Sequence, residues 1–387
     1  FIREKSTQRW IETRKAGKFT RKVETDAIQK LVSYAQEQGS DHAEMLYATY
    51  TRLANKMAGI SKFQTLEASS EDLIAQNSDA ITSIDSYNDL GVVVLGRAAS
   101  EGVDWEKGDK CDPSEGITNP MQITLKEKAM IKLAKEKCKK VIVIINAVNQ
   151  MEIQELADDP NIGAILWMGI GANYAPKAVV DIISGATNPS GHLSDIYATS
   201  SLSAPAMINY GDYSYTNKDQ VIARSKGTGQ KYVIEAENIY TGYRYYETRY
   251  EDYVLNRGNA SSSAGSYVDT TWNYAKEVQF PFGYGLSYTT FNWNVVSTNP
   301  SGRMNLNKND KIEIQVKVTN TGDVAGKDVV QLYYSVPYTK GGIEKSSINL
   351  GDFAKTKLLK PGEEEIVNLS IDAYSMASYD CYDKNKN

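Results

Sequence analysis

The sequence predicts an α/β protein: a three-layer α/β/α sandwich on a mainly parallel sheet, followed by a β-sandwich. Three observations carry this reading. Short apolar runs alternate with amphipathic helical stretches between Leu90 and Tyr197. The composition shifts at Tyr210 to a stretch rich in Tyr, Asn, Ser and Gly. From Phe291 the hydrophobic period becomes two, as in half-buried strands.

The elements follow in order. Ala27, Ile28, Leu31, Val32 and Ala35 recur at helical spacing, as do Met45, Leu46, Thr49, Leu53 and Met57. Cations dominate from Arg3 to Lys22, which suits a solvated helix and loop or a contact arm for an acidic partner. Gly91–Gly96 is a β-branched run ending in glycine, a buried strand. A polar loop follows to Met121. Thr124 and Glu127 form a capping box for a helix with Leu125, Ala129, Met130, Leu133, Ala134 and Cys138 on one face. Val141–Ile145 and Ile162–Met168 are two further apolar strands. Pro176 opens a helix that runs through Ile183. Asn188-Pro189-Ser190-Gly191 turns into a last strand-like run, Leu193–Tyr197.

Apolar parallel strands need cover on both faces, and ligands of such sheets sit beyond the carboxyl ends of the strands. Chemistry is therefore expected in the loop after Leu95. Beyond Phe291, Ile312, Ile314, Val316 and Val318 alternate with polar residues, as do Val330, Leu332 and Tyr334. The resulting division is residues 1–85, a helical part; 86–290, the sandwich; and 291–387, the β-module.

The bulk properties exclude several functions. A chain of 387 residues holds two or three domains at ~100–200 residues each. The net charge of -5 argues against a nucleic-acid binder. No apolar run approaches the ~18–20 residues that span a bilayer, so no membrane contact is expected. Cys111, Cys138 and Cys381 are scattered, and only His42 and His192 offer imidazole. Neither a zinc site nor any cofactor is expected.

Several segments together resemble glycoside hydrolase family 3. Val92–Asp104 (VVVLGRAASEGVD) is similar to the family's strand followed by R-x-x-G-E-x-x-D. VIVIIN, AILWMG, AVVDIISG and NPSGHL follow from Val141 to Leu193 in the family's order. Tyr240–Thr248 (YTGYRYYET) and Phe280–Phe291 (FPFGYGLSYTTF) are the most specific pieces. Thr319–Tyr334, Phe353–Glu363 and Met376–Asp380 (MASYD) resemble the family's fibronectin type III-like module.

The resemblance implies retaining hydrolysis of terminal β-linked sugars, of β-glucosidase type. That chemistry needs two carboxyl groups ~5–5.5 Å apart. The resemblance makes Glu101 the candidate acid/base, against the plainer reading of a solvated loop carboxylate. Arg97 and Asp104 flank it as candidate substrate contacts, Arg97 being equally suited to a structural ion pair. The family's nucleophile is an aspartate on a barrel strand, and no equivalent is apparent here. Ser40-Asp41 and Ser194-Asp195 are rejected by their contexts. Ser100 replaces a usual glycine, and Gly171-Ala172-Asn173-Tyr174-Ala175 replaces a Gln-Glu loop.

The MASYD ending resembles members with inverted domain order, in which the barrel comes last. Implied partners are a β-linked glucoside or oligosaccharide, a barrel domain, or like chains in a homo-oligomer or filament. Two functions stay open: an enzyme part inactive alone, or a catalytically dead, self-assembling scaffold. A bare carbohydrate-binding module ranks third. A bacterial source is expected. Phe1 is not an initiator, so secreted and cytoplasmic locations both remain open.

Overall fold

A computed structural model describes residues 88–97, 113–171, 175–211, 213–220, 231–256, 272–302 and 305–380, with positions 84, 111, 262, 263 and 266 besides. The expected helices before residue 84, the basic run Arg3–Lys22 and Cys381 lie outside the described residues.

The first sheet has three parallel strands in the order β1 (Gly91–Gly96), β2 (Val141–Asn146) and β3 (Ile162–Trp167). Central β2 is nearly all buried, because apolar side chains on both sides of a parallel strand find cover. Helix α1 (Leu125–Lys137) packs on β1 and opens with the expected capping box of Thr124 and Glu127. Val93, Leu95, Ile131, Val143 and Ile145 form the core between sheet and helix, with Met151, Ile153 and Leu156 from the following loop and short helix α2 (Gln154–Ala157). Helix α3 (Ala175–Ile183) starts with Pro176 in its first turn and ends before Gly185, which has φ +76°.

The run Leu193–Tyr197 is not one strand. Only β4 (Tyr197–Ala198) is, and it pairs antiparallel with β7 (Val278–Phe280). The Asp195 side chain accepts the Ile196 amide at 2.8 Å, which takes that donor out of the ladder. Leu193 instead exchanges backbone bonds with Tyr284 and Gly283, both 2.8 Å. Two of the family-like motifs, NPSGHL and FPFGYG, are thus neighbours in space. Between β4 and β7 lie helix α4 (Pro205–Asn209), the hairpin β5 (Tyr213–Ser214) and β6 (Lys231–Tyr232), helix α5 (Tyr243–Tyr253) and the single turn α6 (Tyr274–Glu277).

The β-module follows. Strands β12 (Glu364–Asp372), β9 (Lys311–Asn320) and β8 (Phe291–Asn299) form one antiparallel sheet in that order. Strands β10 (Val329–Tyr334) and β11 (Asn349–Lys355) form the other. Val316, Val318, Val330, Val367, Leu369 and Leu359 fill the space between them. No described helix is long and apolar enough to cross a membrane.

The motif contact depends on glycine. A Cβ on Gly285 would strike the Gly191 carbonyl and the His192 ring, whose carbons lie 3.1 Å from it. Backbone cannot yield as a flexible side chain can. Gly285→Ala is expected to destabilise the chain by about 1–3 kcal/mol, the usual cost of overpacking. Gly302→Ala, with open space around it, serves as the control. Urea unfolding midpoints of the two variants check this.

Candidate active site

The carboxyl ends of β1, β2 and β3 share one edge, because all three strands are parallel. The loop leaving β1 begins with Arg97. Its Nε donates to the Pro120 carbonyl at 2.6 Å. One terminal nitrogen donates to Glu127 Oε1 at 2.6 Å and the Gly96 carbonyl at 2.8 Å. The other donates to Glu127 Oε2 at 2.9 Å and the Gln122 carbonyl at 2.6 Å. All five N–H groups of the fork are engaged. The side chains are only 8% and 16% exposed, so this is a largely desolvated, bidentate pair. Glu127 is also the capping residue of α1, its Oε2 taking the Thr124 amide at 2.9 Å.

The returning leg of the same loop is held from its other side. Asn119 is fully buried; its Nδ2 donates to Glu152 Oε1 at 3.0 Å and its Oδ1 accepts the Met121 amide at 2.9 Å. Glu152 Oε1 also receives the Ser201 amide at 2.7 Å and hydroxyl at 2.9 Å. The Glu152 amide donates to the Met121 carbonyl at 2.9 Å. Residues 119–122 are therefore gripped by Arg97 on one flank and by Glu152 on the other.

Of the candidates read from the sequence, Arg97 stands at the root of this loop with its donors satisfied by protein. Glu101 and Asp104 lie outside the described residues, as do Ser100, Asn173 and Tyr174. Trp167 ends β3 at the same edge, half-exposed, its indole donating to the Ala147 carbonyl at 2.7 Å. Tyr243, Tyr245 and Tyr246 are elsewhere and buried. Burial pushes the Tyr245 and Tyr246 hydroxyls up, so they remain neutral. They are core, not a sugar platform.

Among the described residues no cluster of His, Cys, Asp or Glu could hold a metal. The sequence reading missed Asn119, Glu152 and Ser201. No local signal could have found them, since the bonds span 33, 49 and 82 residues. Only Glu127 was marked, through its capping box.

The comparisons with known proteins agree with this architecture. Residues 10–288 match the glycosyl hydrolase family 3 C-terminal domain, and residues 328–385 match a fibronectin type III-like domain. The chain belongs to glycoside hydrolase family 3. Its relatives are β-glucosidases. Beta-glucosidase A of Butyrivibrio fibrisolvens is 30% identical over 78% of this chain and 34% of its own length. A β-glucosidase of Ruminococcus albus is 28% identical over 76% of this chain and 24% of its own.

Among solved structures, a β-glucosidase from Paenibacillus barengoltzii superposes with a TM-score of 0.59 at 30% identity, over 78% of this chain and 27% of that one. The β-glucosidase 3B of Thermotoga neapolitana, solved with α-D-glucose, gives 0.59 at 26% identity over 90% and 42%. The chain spans about a quarter to a third of the length of these curated relatives.

Removing Arg97 would leave Glu127 buried without a counter-charge. Arg97→Met is expected to cost about 3–5 kcal/mol, and adding Glu127→Leu to recover part of that loss. Chemical unfolding of the single and double variants tests the pair.

Proposed function

We propose that this chain is the sandwich and fibronectin-like part of a retaining, β-glucosidase-type enzyme and that it is inactive alone. Its contribution is Glu101 as the acid/base, delivered by the loop after β1, with Asp104 beside it. The substrate is a terminal β-linked glucoside or short oligosaccharide, and the nucleophile comes from a barrel domain. The observation that supports this most is the double grip on the loop. An acid/base must be held within hydrogen-bond reach of the glycosidic oxygen, and a loop anchored at its root and its returning leg is consistent with that role. Arg97 serves in this reading by rooting the loop rather than by touching sugar.

The chain alone should release no aglycone from an aryl β-glucoside, since one carboxyl group cannot be both nucleophile and acid/base. Turnover that Glu101→Gln abolishes would overturn the claim of inactivity. In a polypeptide that also carries the nucleophile domain, Glu101→Gln should lower kcat by about 10²–10⁴.

A second reading, a catalytically dead scaffold that associates with like chains, has one observation in its favour. Trp293 and Val295 on β8 pair with Val318 and Val316, so they face the core side of their sheet. They are nevertheless 48% and 58% exposed, the Trp293 indole donating to Asp328 Oδ2 at 2.6 Å. Uncovered apolar surface of this kind marks interfaces. The scaffold reading expects assembly at micromolar concentration by sedimentation; a strict monomer refutes it.

A further inference from the structure

The geometry points to a second ligand site, for a sugar carboxylate, at the seam between the sandwich and the β-module. It does not rest on the hydrolytic reading above. A cavity of about 540 Å³ opens there, lined among others by Arg244, Tyr334, Glu344, Asn349 and Tyr379. Arg244 is the second residue of α5 and is half-buried. Its Nε donates to Asn349 Oδ1 at 3.1 Å, and its guanidinium carbon lies 5.3 Å from the Tyr243 ring. No described carboxylate pairs with it, and its terminal nitrogens have no acceptor among the described residues. Those terminal nitrogens are not buried, so a ligand that enters the cavity can reach them and take the place of solvent.

The surrounding groups favour the same ligand. Ser346, itself buried, donates to Asn349 Oδ1 at 2.7 Å, which holds that amide fixed and leaves its Nδ2 donors unengaged. Two carboxylates, Glu344 and Asp380, also line the cavity, and among the described residues neither pairs with Arg244; both have other partners. Glu344 Oε2 takes the Tyr240 hydroxyl at 2.6 Å and its Oε1 the Tyr338 hydroxyl at 3.2 Å. Lys345 is turned to the Pro337 carbonyl at 3.0 Å. The site therefore offers a planar fork and an amide as free donors, which suit a carboxylate accepted bidentately. The remaining volume exceeds what a carboxylate fills. Tyr334 and Tyr379 give it apolar walls beside polar groups, which suit a pyranose ring. A uronic acid combines both features.

The test uses the intact chain. Phenylglyoxal modification of Arg244, followed by mass spectrometry, is run with sodium glucuronate, glucose or acetate. Glucuronate should slow the modification several-fold, and glucose should leave it unchanged. Calorimetry should show glucuronate binding weakened about tenfold or more by Arg244→Gln, as expected when a bidentate charged contact is lost. An unchanged modification rate with glucuronate overturns the proposal, as does equal protection by glucose. Acetate protecting as strongly as glucuronate also overturns it, since the cavity would then hold no sugar ring. The labelling arm reads the unaltered protein, so a folding defect in the variant does not blunt the test.

Discussion

The structure turns on one small sheet that packs against a core on each face. Strands β10 and β11 present Val330, Leu332 and Ala354 to the core of the β-module. Their other face presents Tyr333 and Leu350 to the tyrosine-rich core of the sandwich. There the Tyr243 ring meets Phe282 at 4.5 Å and Tyr333 at 6.4 Å, edge-on to the latter. Such ring pairs add about 0.5–1.5 kcal/mol each beyond the burial of their area. Directional bonds accompany them. Leu350 donates its amide to the Tyr243 hydroxyl at 2.9 Å, and Ser347 donates to Thr248 Oγ1 at 2.9 Å. A sheet that serves two cores cannot slide relative to either. The sandwich and the β-module therefore share one joint, and the joint fixes everything arranged around it.

Two consequences follow from that joint. Helix α5 carries the tyrosines of the seam and also Arg244, so the guanidinium inherits its position from buried aromatic packing. Burial pushes the Tyr333 hydroxyl up to about 12, and Tyr240 is driven well above the usual phenol range by burial and by Glu344. These hydroxyls stay neutral and keep donating across the physiological range.

How much was legible in the sequence depended on the range of the interaction. Strands β1, β2 and β3 and the capped helix α1 announced themselves, because their signals are periodicity and a four-residue cap. Helix α5 did not. Its buried face is built of Tyr243, Tyr245, Tyr246 and Arg249, which a search for aliphatic periodicity passes over. Arg249 is only 2% exposed, within 5.7 Å of the rings of Tyr245, Tyr253 and Trp272, an environment no local pattern encodes. Strand β11 was missed for a related reason. Asn349, Gly351, Asp352 and Lys355 interrupt its apolar residues, and the strand exists because β10 offers it a partner. At the candidate site, the motif around Arg97 was readable, but its partners Asn119, Glu152 and Ser201 meet only after folding.

The arrangement of carboxylates at the sheet edge bears on how labour would be divided in a family 3 enzyme. A nucleophile must keep an oxygen free to attack and must not be neutralised by a bidentate cation. Glu127 fails on both counts: Arg97 holds both its oxygens, and Thr124 takes a further share. Glu152 has Oε1 committed to Asn119 and Ser201, and its role is to brace the returning leg of the loop. Each has been spent on holding backbone. What they hold is the returning leg of one loop, residues 119–122, beside Arg97 at the carboxyl end of β1. On the reading proposed above, a scaffold that commits two of its own carboxylates to bracing this loop leaves the nucleophile to another domain.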